Sequence, residues 1–263
     1  MNLFYVLAED GSGLNSIHSR MLLSSIRSAN NVGGGYNINV LYTGCDASVI
    51  KLLTDIPNVT VHKFISKLTP ILKQRFGYYK DFDKNVIKYV KLEVVRYAIE
   101  EFGLIDEYFL YCDNDVMFCK DIFKELKNLT PKYLAVGVHS KFPQDYFQCA
   151  SSTPLDTGIM LINARSMYNE YFVFMKTIET NFTVFEDIDN EKTALLNFYI
   201  NKIDILPYNL NWKMSWGYGS APGIIHFCSF RPVPRYVEFV ADQSENIESY
   251  EQNQWLKSLT MIN

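Results

Sequence analysis

The chain has 263 residues, and its 25 Lys and Arg stand against 29 Asp and Glu for a formal net charge of −4. That length suits one large α/β domain with a sizeable core, and the mildly acidic balance excludes a nucleic-acid binder that works by general electrostatic attraction. The five Cys are scattered without a C-x-x-C pair, which excludes a zinc or disulfide framework and reads as reduced thiols.

The first residues, "NLFYVLA" (2–8), form a short apolar run that predicts a buried strand. They lack the basic start of a secretory signal, and no segment reaches the roughly 18 apolar residues of a membrane span. The expectation is a cytoplasmic protein with at most peripheral membrane contact. Ile17, Met21, Leu22 and Ile26 fall on one face of a helix over 16–29, with Asn15 or Ser16 able to cap it. After the loop "NNVGGGYN", the run "INVLYTG" predicts a second strand. Asp46 then caps a helix over 47–55, and "VTVHKFI" predicts a third strand. This alternation implies a parallel sheet with right-handed crossovers.

Asp83 is placed to cap a long amphipathic helix with Val86, Val90, Val94 and Ala98 near one stripe, ending near Gly103. A strand within 107–118 that stops at Asp113 and Asp115 follows, then strand candidates at 132–139 and 157–164, and helical patterns at about 165–180 and 187–201. "IDILP" and "GIIHFCSF" read as short strands, and the polar tail after Arg235 as helical near its end. No repeat or linker divides the chain. One domain over 1–263 is expected, in two halves, 1–120 and 121–263, the second ending in a helical tail.

The stretch "EYFLYCDNDVMF" (107–118) is apolar until it meets Asp113 and Asp115. In an open parallel sheet, ligands bind beyond the carboxyl ends of the strands. Extended chain would turn both acids to one side. Two carboxylates that close repel unless a cation lies between them, and oxygen ligands select Mg²⁺ or Mn²⁺. A strand end with solvated acids is the plainest alternative, although Asp121 is the better helix cap. "DNDV" also fits the D-x-D-x-[TV] motif of haloacid dehalogenase-type phosphohydrolases, with Asp113 as nucleophile and Asp115 as general acid. That motif ordinarily follows the first strand, whereas here about a hundred residues precede it, and no convincing partner motifs follow.

Four further segments take sides. "KYVKLEVVRYAI…IDEYFLYCDNDVMF" resembles glycosyltransferase family 8, in which a helix with a basic residue before Leu precedes a strand ending in D-x-D. "LDTGIMLINAR" is similar to that family's F-N-[SA]-G segment, "ALLNFYINKIDILPYNLNW" to its L-N…LP…N region, and "GIIHFCSFRP" to its closing H-F-x-G…K-P. The blocks occur in the family's order and span almost the whole chain. The resemblance implies a GT-A fold, which is an α/β arrangement with a mostly parallel Rossmann-like sheet flanked by helices.

It further implies transfer of a hexose from a UDP-sugar to an acceptor hydroxyl, metal-dependent and with retention of configuration. Asp113, Asp115 and His226 match the metal ligands. Imidazole suits Mn²⁺, with Mg²⁺ the alternative. Ala8 and Asp10 match the base-binding loop, Lys91 stands where the family has a donor-contacting Arg, and Asn114, between the acids, joins this donor-binding set. Arg231 stands at the phosphate-binding Lys, in a loop one residue shorter and with Ser229 for Gly. Asp156 replaces the Asn of F-N-S-G and is placed by the resemblance near the anomeric carbon. Lys192 and Thr193 replace the D-Q before L-N, leaving Asp187 or Asp189 to supply the sugar contact. Sugar preference is expected to follow Asp156. The acceptor, a glycan, lipid-linked glycan or protein, is expected along "SKFPQDYFQCASST" and "NWKMSWGYG". A non-catalytic nucleotide-sugar-binding protein is the competing class, because D-Q-D is lost.

Overall fold

A computed structural model describes residues 1–8, 13–76, 90–105, 107–139, 155–180, 195, 198–199, 201–213 and 222–227. Strand β1 (Asn2–Leu7) is buried from Leu3 onward, as a strand covered on both faces must be. Helix α1 (Ile17–Asn31) starts where Ser16 Oγ accepts from His18 N at 3.2 Å. It buries Met21, Leu22 and Ile26, and the chain leaves it through Gly33 at φ +78°, a conformation glycine adopts without steric cost. Strand β2 (Asn37–Tyr42) follows, then α2 (Ala47–Thr54), capped by Asp46 Oδ1 on Ser48 N and Val49 N, and β3 (Val59–Lys63). β1, β2 and β3 pair in parallel as expected.

Next come α3 (Leu68–Phe76), a 3-10 turn at Lys91–Glu93, α4 (Val94–Glu100) and β4 (Tyr108–Cys112). The predicted long helix begins among residues 77–89, which lie outside the described residues. From Val90, which is helical, the described part passes through the 3-10 turn that carries Lys91 and into α4. Val90, Val94 and Ala98 are buried as the stripe requires. β5 (Val116–Phe118), α5 (Phe123–Lys127), β6 (Leu134–Val138), β7 (Leu155–Asn163) and α6 (Ala164–Thr180) follow, then β8 (Ile203–Ile205), β9 (Trp212–Lys213) and β10 (Ile224–His226). Asp121 Oδ1 accepts from Phe123 N at 2.9 Å, the cap expected for α5. The helical pattern at 187–201 and the tail fall almost wholly outside the described residues.

Among the described residues, the main sheet has seven strands in the order β3-β2-β1-β4-β7-β6-β8. β7 alone among them runs antiparallel to its neighbours, so the sheet is mostly parallel. Side chains alternate between two cores. Phe4, Phe109, Tyr111 and Met160 pack with α4 and α6 on one face. Leu3, Tyr5, Leu110 and Leu161 pack with α1 and α2 on the other. Phe109 is fully buried, with its ring 5.1 Å from that of Phe4. Phe109→Ala is expected to lower unfolding free energy by about 3–5 kcal/mol in urea titration. A loss below about 1 kcal/mol would contradict this placement.

A second sheet, of order β5-β10-β9, was not foreseen. As expected, the strand within 107–118 stops at the acids: β4 ends at Cys112, the chain turns, and β5 enters the small sheet. Among the described residues, no helix is long and apolar enough to cross a membrane.

Candidate active site

The carboxyl ends of β1, β4 and β6, which run parallel, meet the beginning of antiparallel β7. Asp113 follows β4, His139 follows β6, and Asp156 and Gly158 open β7. Asp113 N donates to Gly158 O at 2.7 Å, tying the two elements together. Asp113 and Asp115 do come together, but not through extended chain. Asn114 and Asp115 form a turn between two sheets, and each acid meets its own partners.

Asp113 is the more exposed acid, at 30% of its side chain. Tyr111 Oη donates to its Oδ1 at 2.6 Å, and Lys91 Nζ lies 3.3 and 3.2 Å from its two oxygens. Tyr111 shares Asp113's side of the chain by strand alternation. Lys91 is only 7% exposed, so it is not a solvated helix lysine. Its turn is anchored by fully buried Glu93, which accepts from Ser66 Oγ and from Lys67 N at 2.8 Å and pairs with Arg96. Burial pushes the Glu93 carboxyl up, and these donors oppose the shift.

Asp115 faces His226, with Oδ1 3.4 Å from Nε2. Strand register makes this contact. His226 pairs with Val116 across β10 and β5, and Phe227 N donates to Asp115 O at 3.0 Å. Burial pushes the Asp115 carboxyl up, but the charge and hydrogen bond of His226 outweigh it and hold the group below the usual carboxylate range. One ligand atom each from Asp113, Asp115 and His226 lies within 4.8 Å of the others. Two carboxylates and an imidazole at this spacing fit a divalent cation such as Mn²⁺ or Mg²⁺.

Behind His226 lies a network that sequence reasoning missed. His226 pairs in register with Lys213 across β10 and β9. Lys213 Nζ stands 2.7 Å from His226 Nδ1 and 3.1 Å from Asn211 Oδ1, and it is paired with Asp156 Oδ2. His226 Nδ1 also lies 3.3 Å from Asp156 Oδ1 and 3.2 Å from Asn211 Oδ1. Asp156 is fully buried. Its Oδ1 accepts from Gly158 N at 2.8 Å, and its Oδ2 lies 3.8 Å from His139 Nδ1. Asn211, Trp212 and Lys213 are buried, and the rest of "NWKMSWGYG", 214–219, lies outside the described residues. Strands β9 and β10, of two and three residues, are too short to show the alternation that would have flagged Lys213.

The remaining candidates divide simply. Ala8, half-buried, follows β1 at the same end of the sheet. Asn114 Oδ1 is buried without a hydrogen-bond partner among the described residues. Asp10, Asp187, Asp189, Lys192, Thr193, Arg231 and the acceptor segment 140–153 lie outside the described residues.

No protein-family model matches the sequence, and no curated protein matches it. Solved structures do. The galactosyltransferase LgtC, determined with donor and acceptor sugar analogues, superposes over 99% of this chain and 96% of its own, with TM-score 0.66 and 10% identity. Mouse xyloside xylosyltransferase 1 covers 89% of this chain and 100% of its own, with TM-score 0.61 and 14% identity. The glycosyltransferase GlyE of Streptococcus pneumoniae TIGR4 covers 99% of this chain, which spans 61% of GlyE, with TM-score 0.61 and 14% identity. At such identities the likeness is one of fold. The chain has a GT-A fold similar to that of family 8 glycosyltransferases.

Proposed function

We propose that the protein transfers a hexose from a UDP-sugar to an acceptor hydroxyl, with retention of configuration and with Mn²⁺ as the preferred cation. One observation carries this reading: Asp113, Asp115 and His226 converge within 4.8 Å at the carboxyl end of a GT-A sheet. LgtC, which shares the fold, was determined with donor and acceptor sugar analogues.

Asp113, Asp115 and His226 would hold the cation, which supplies positive charge against the diphosphate as it leaves. Lys91 adds a fixed ammonium on the Asp113 side, where it stabilises the same developing charge. Its place on Asp113 is set by the buried Glu93 turn, so little reorganisation is needed when the donor arrives. Arg231 is proposed as a second clamp on the diphosphate. Ala8 admits the base, Asp10 accepts from its N3–H, and the unpartnered Asn114 amide oxygen accepts from a donor hydroxyl. Asp187 or Asp189 contacts the sugar. Asp156, buried behind His226 and neutralised by Lys213, shapes the field on the sugar side of the site. The phosphohydrolase reading is not favoured, since the solved structures that share this fold are glycosyltransferases.

A panel of nucleotide-sugars scored by thermal shift tests this reading, because a ligand that binds only the native state raises stability. UDP-hexoses are expected to raise the melting temperature with Mn²⁺ present and to have little effect in EDTA. Equal shifts from ADP-, GDP- and UDP-sugars, or none from any, would count against it.

A further inference from the structure

We propose that Lys213 is a positioning residue that orients the His226 imidazole through Asp156 and Asn211, an inference that rests on the metal-dependent reading above. Lys213 is 3% exposed, yet it is a charged side chain on a two-residue strand. Burying an ammonium is costly unless carboxylate and hydrogen-bond partners surround it. Its partners here are Asp156 Oδ2 and Asn211 Oδ1, and its Nζ stands 2.7 Å from His226 Nδ1.

Asp156 and Asn211 also face the inner edge of the His226 ring. Nδ1 has Asp156 Oδ1 at 3.3 Å and Asn211 Oδ1 at 3.2 Å, while Nε2 on the opposite edge faces Asp115. An imidazole that ligates a metal through one nitrogen needs its other N–H fixed by a carboxylate or carbonyl oxygen. Asp156 Oδ1 and Asn211 Oδ1 can accept from Nδ1–H, whereas the Lys213 ammonium has only hydrogens to give. With the ring metal-bound, it directs them to Asp156 Oδ2 and Asn211 Oδ1 and so fixes those two acceptors in place. Asp156 cannot turn away, because Gly158 N holds Oδ1 at 2.8 Å. The backbone is shaped around the same network. A Cβ on Gly137 would fall 1.4 Å from Asn211 Nδ2, and one on Gly158 would fall 1.9 Å from His226 Cε1.

The experiment compares the wild type, Lys213→Met and the double variant Asp156→Asn/Lys213→Met by Mn²⁺ calorimetry, thermal melting and the ring ¹⁵N shifts of His226 in metal-free protein. Lys213→Met is expected to melt earlier, since it strands the Asp156 charge. It should also weaken Mn²⁺ by about 10–100-fold. The double variant removes both charges and is expected to regain most of the melting temperature while Mn²⁺ affinity stays low. In both variants the His226 ring shifts are expected to move. If affinity returns together with melting temperature, or if the ring shifts match the wild type, Lys213 has only a structural role and the proposal falls. A wild type that binds no Mn²⁺ would reject the metal reading, and the ring shifts would still decide whether Lys213 orients His226. Should Lys213→Met fail to fold, the double variant is compared with Asp156→Asn alone: a further loss of Mn²⁺ affinity and a further change of the ring shifts support the proposal, and identical values overturn it.

Discussion

Asp115→Ala is expected to abolish metal-dependent donor binding while leaving the fold in place. The carboxylate makes its contact with His226 Nε2 and is one of three groups within 4.8 Å. Losing it removes a direct ligand, so Mn²⁺ affinity should fall by more than the about 10–100-fold that follows loss of a group behind a ligand. The backbone at this position is tied independently, because Asp115 O accepts from Phe227 N at 3.0 Å and alanine keeps that bond. The side chain is also partly exposed and adds little to either core. Far-UV circular dichroism and urea midpoint should therefore match the wild type, while Mn²⁺ calorimetry shows no saturable binding. Unchanged Mn²⁺ affinity with an intact fold would remove Asp115 from the site.

Gly158→Ala is expected to be strongly damaging to the site. The added Cβ would stand 1.9 Å from His226 Cε1 and 2.5 Å from Nε2, far inside van der Waals contact. Strand β7 cannot slide to relieve this, because Gly158 O receives Asp113 N and Gly158 N holds Asp156. His226 must therefore leave its place. Overpacking of this kind costs about 1–3 kcal/mol, and loss of the imidazole removes a metal ligand. A second variant isolates the cause: in a His226→Ala background the clash disappears. Adding Gly158→Ala there should change the urea midpoint little, whereas in the wild-type background it should lower it clearly. Equal losses in both backgrounds would show that the methyl acts on the strand itself and not on His226.

What could be read from sequence follows from the range of the interactions. β1–β3 with α1 and α2 are legible because each is long enough for its period to show, and Ser16 and Asp46 cap where local chemistry places them. The acids at a strand end were legible as a pair. Their geometry was not, since the change from the main sheet to the small one occurs within the three residues Asp113–Asp115. Tyr111 could have been found, because alternation puts it on Asp113's side. Lys213 and Asn211 could not: they meet His226 through the pairing of β9 with β10, which is long-range and leaves no periodic trace. Gly158 was visible within "LDTGIMLIN" as a matching letter, but the reason for it is the His226 ring, which arrives from 68 positions later in the chain.

The most direct test of the central claim is release of UDP from UDP-glucose and UDP-galactose without acceptor, measured for wild type and Asp115→Ala in Mn²⁺ and in EDTA. Water then replaces the acceptor hydroxyl, and the products are UDP and free sugar. The account predicts slow UDP release by the wild type in Mn²⁺, none in EDTA and none by the variant. Hydrolysis of an aryl phosphate with Mg²⁺ that depends on Asp113, with no UDP released from either donor, would contradict it.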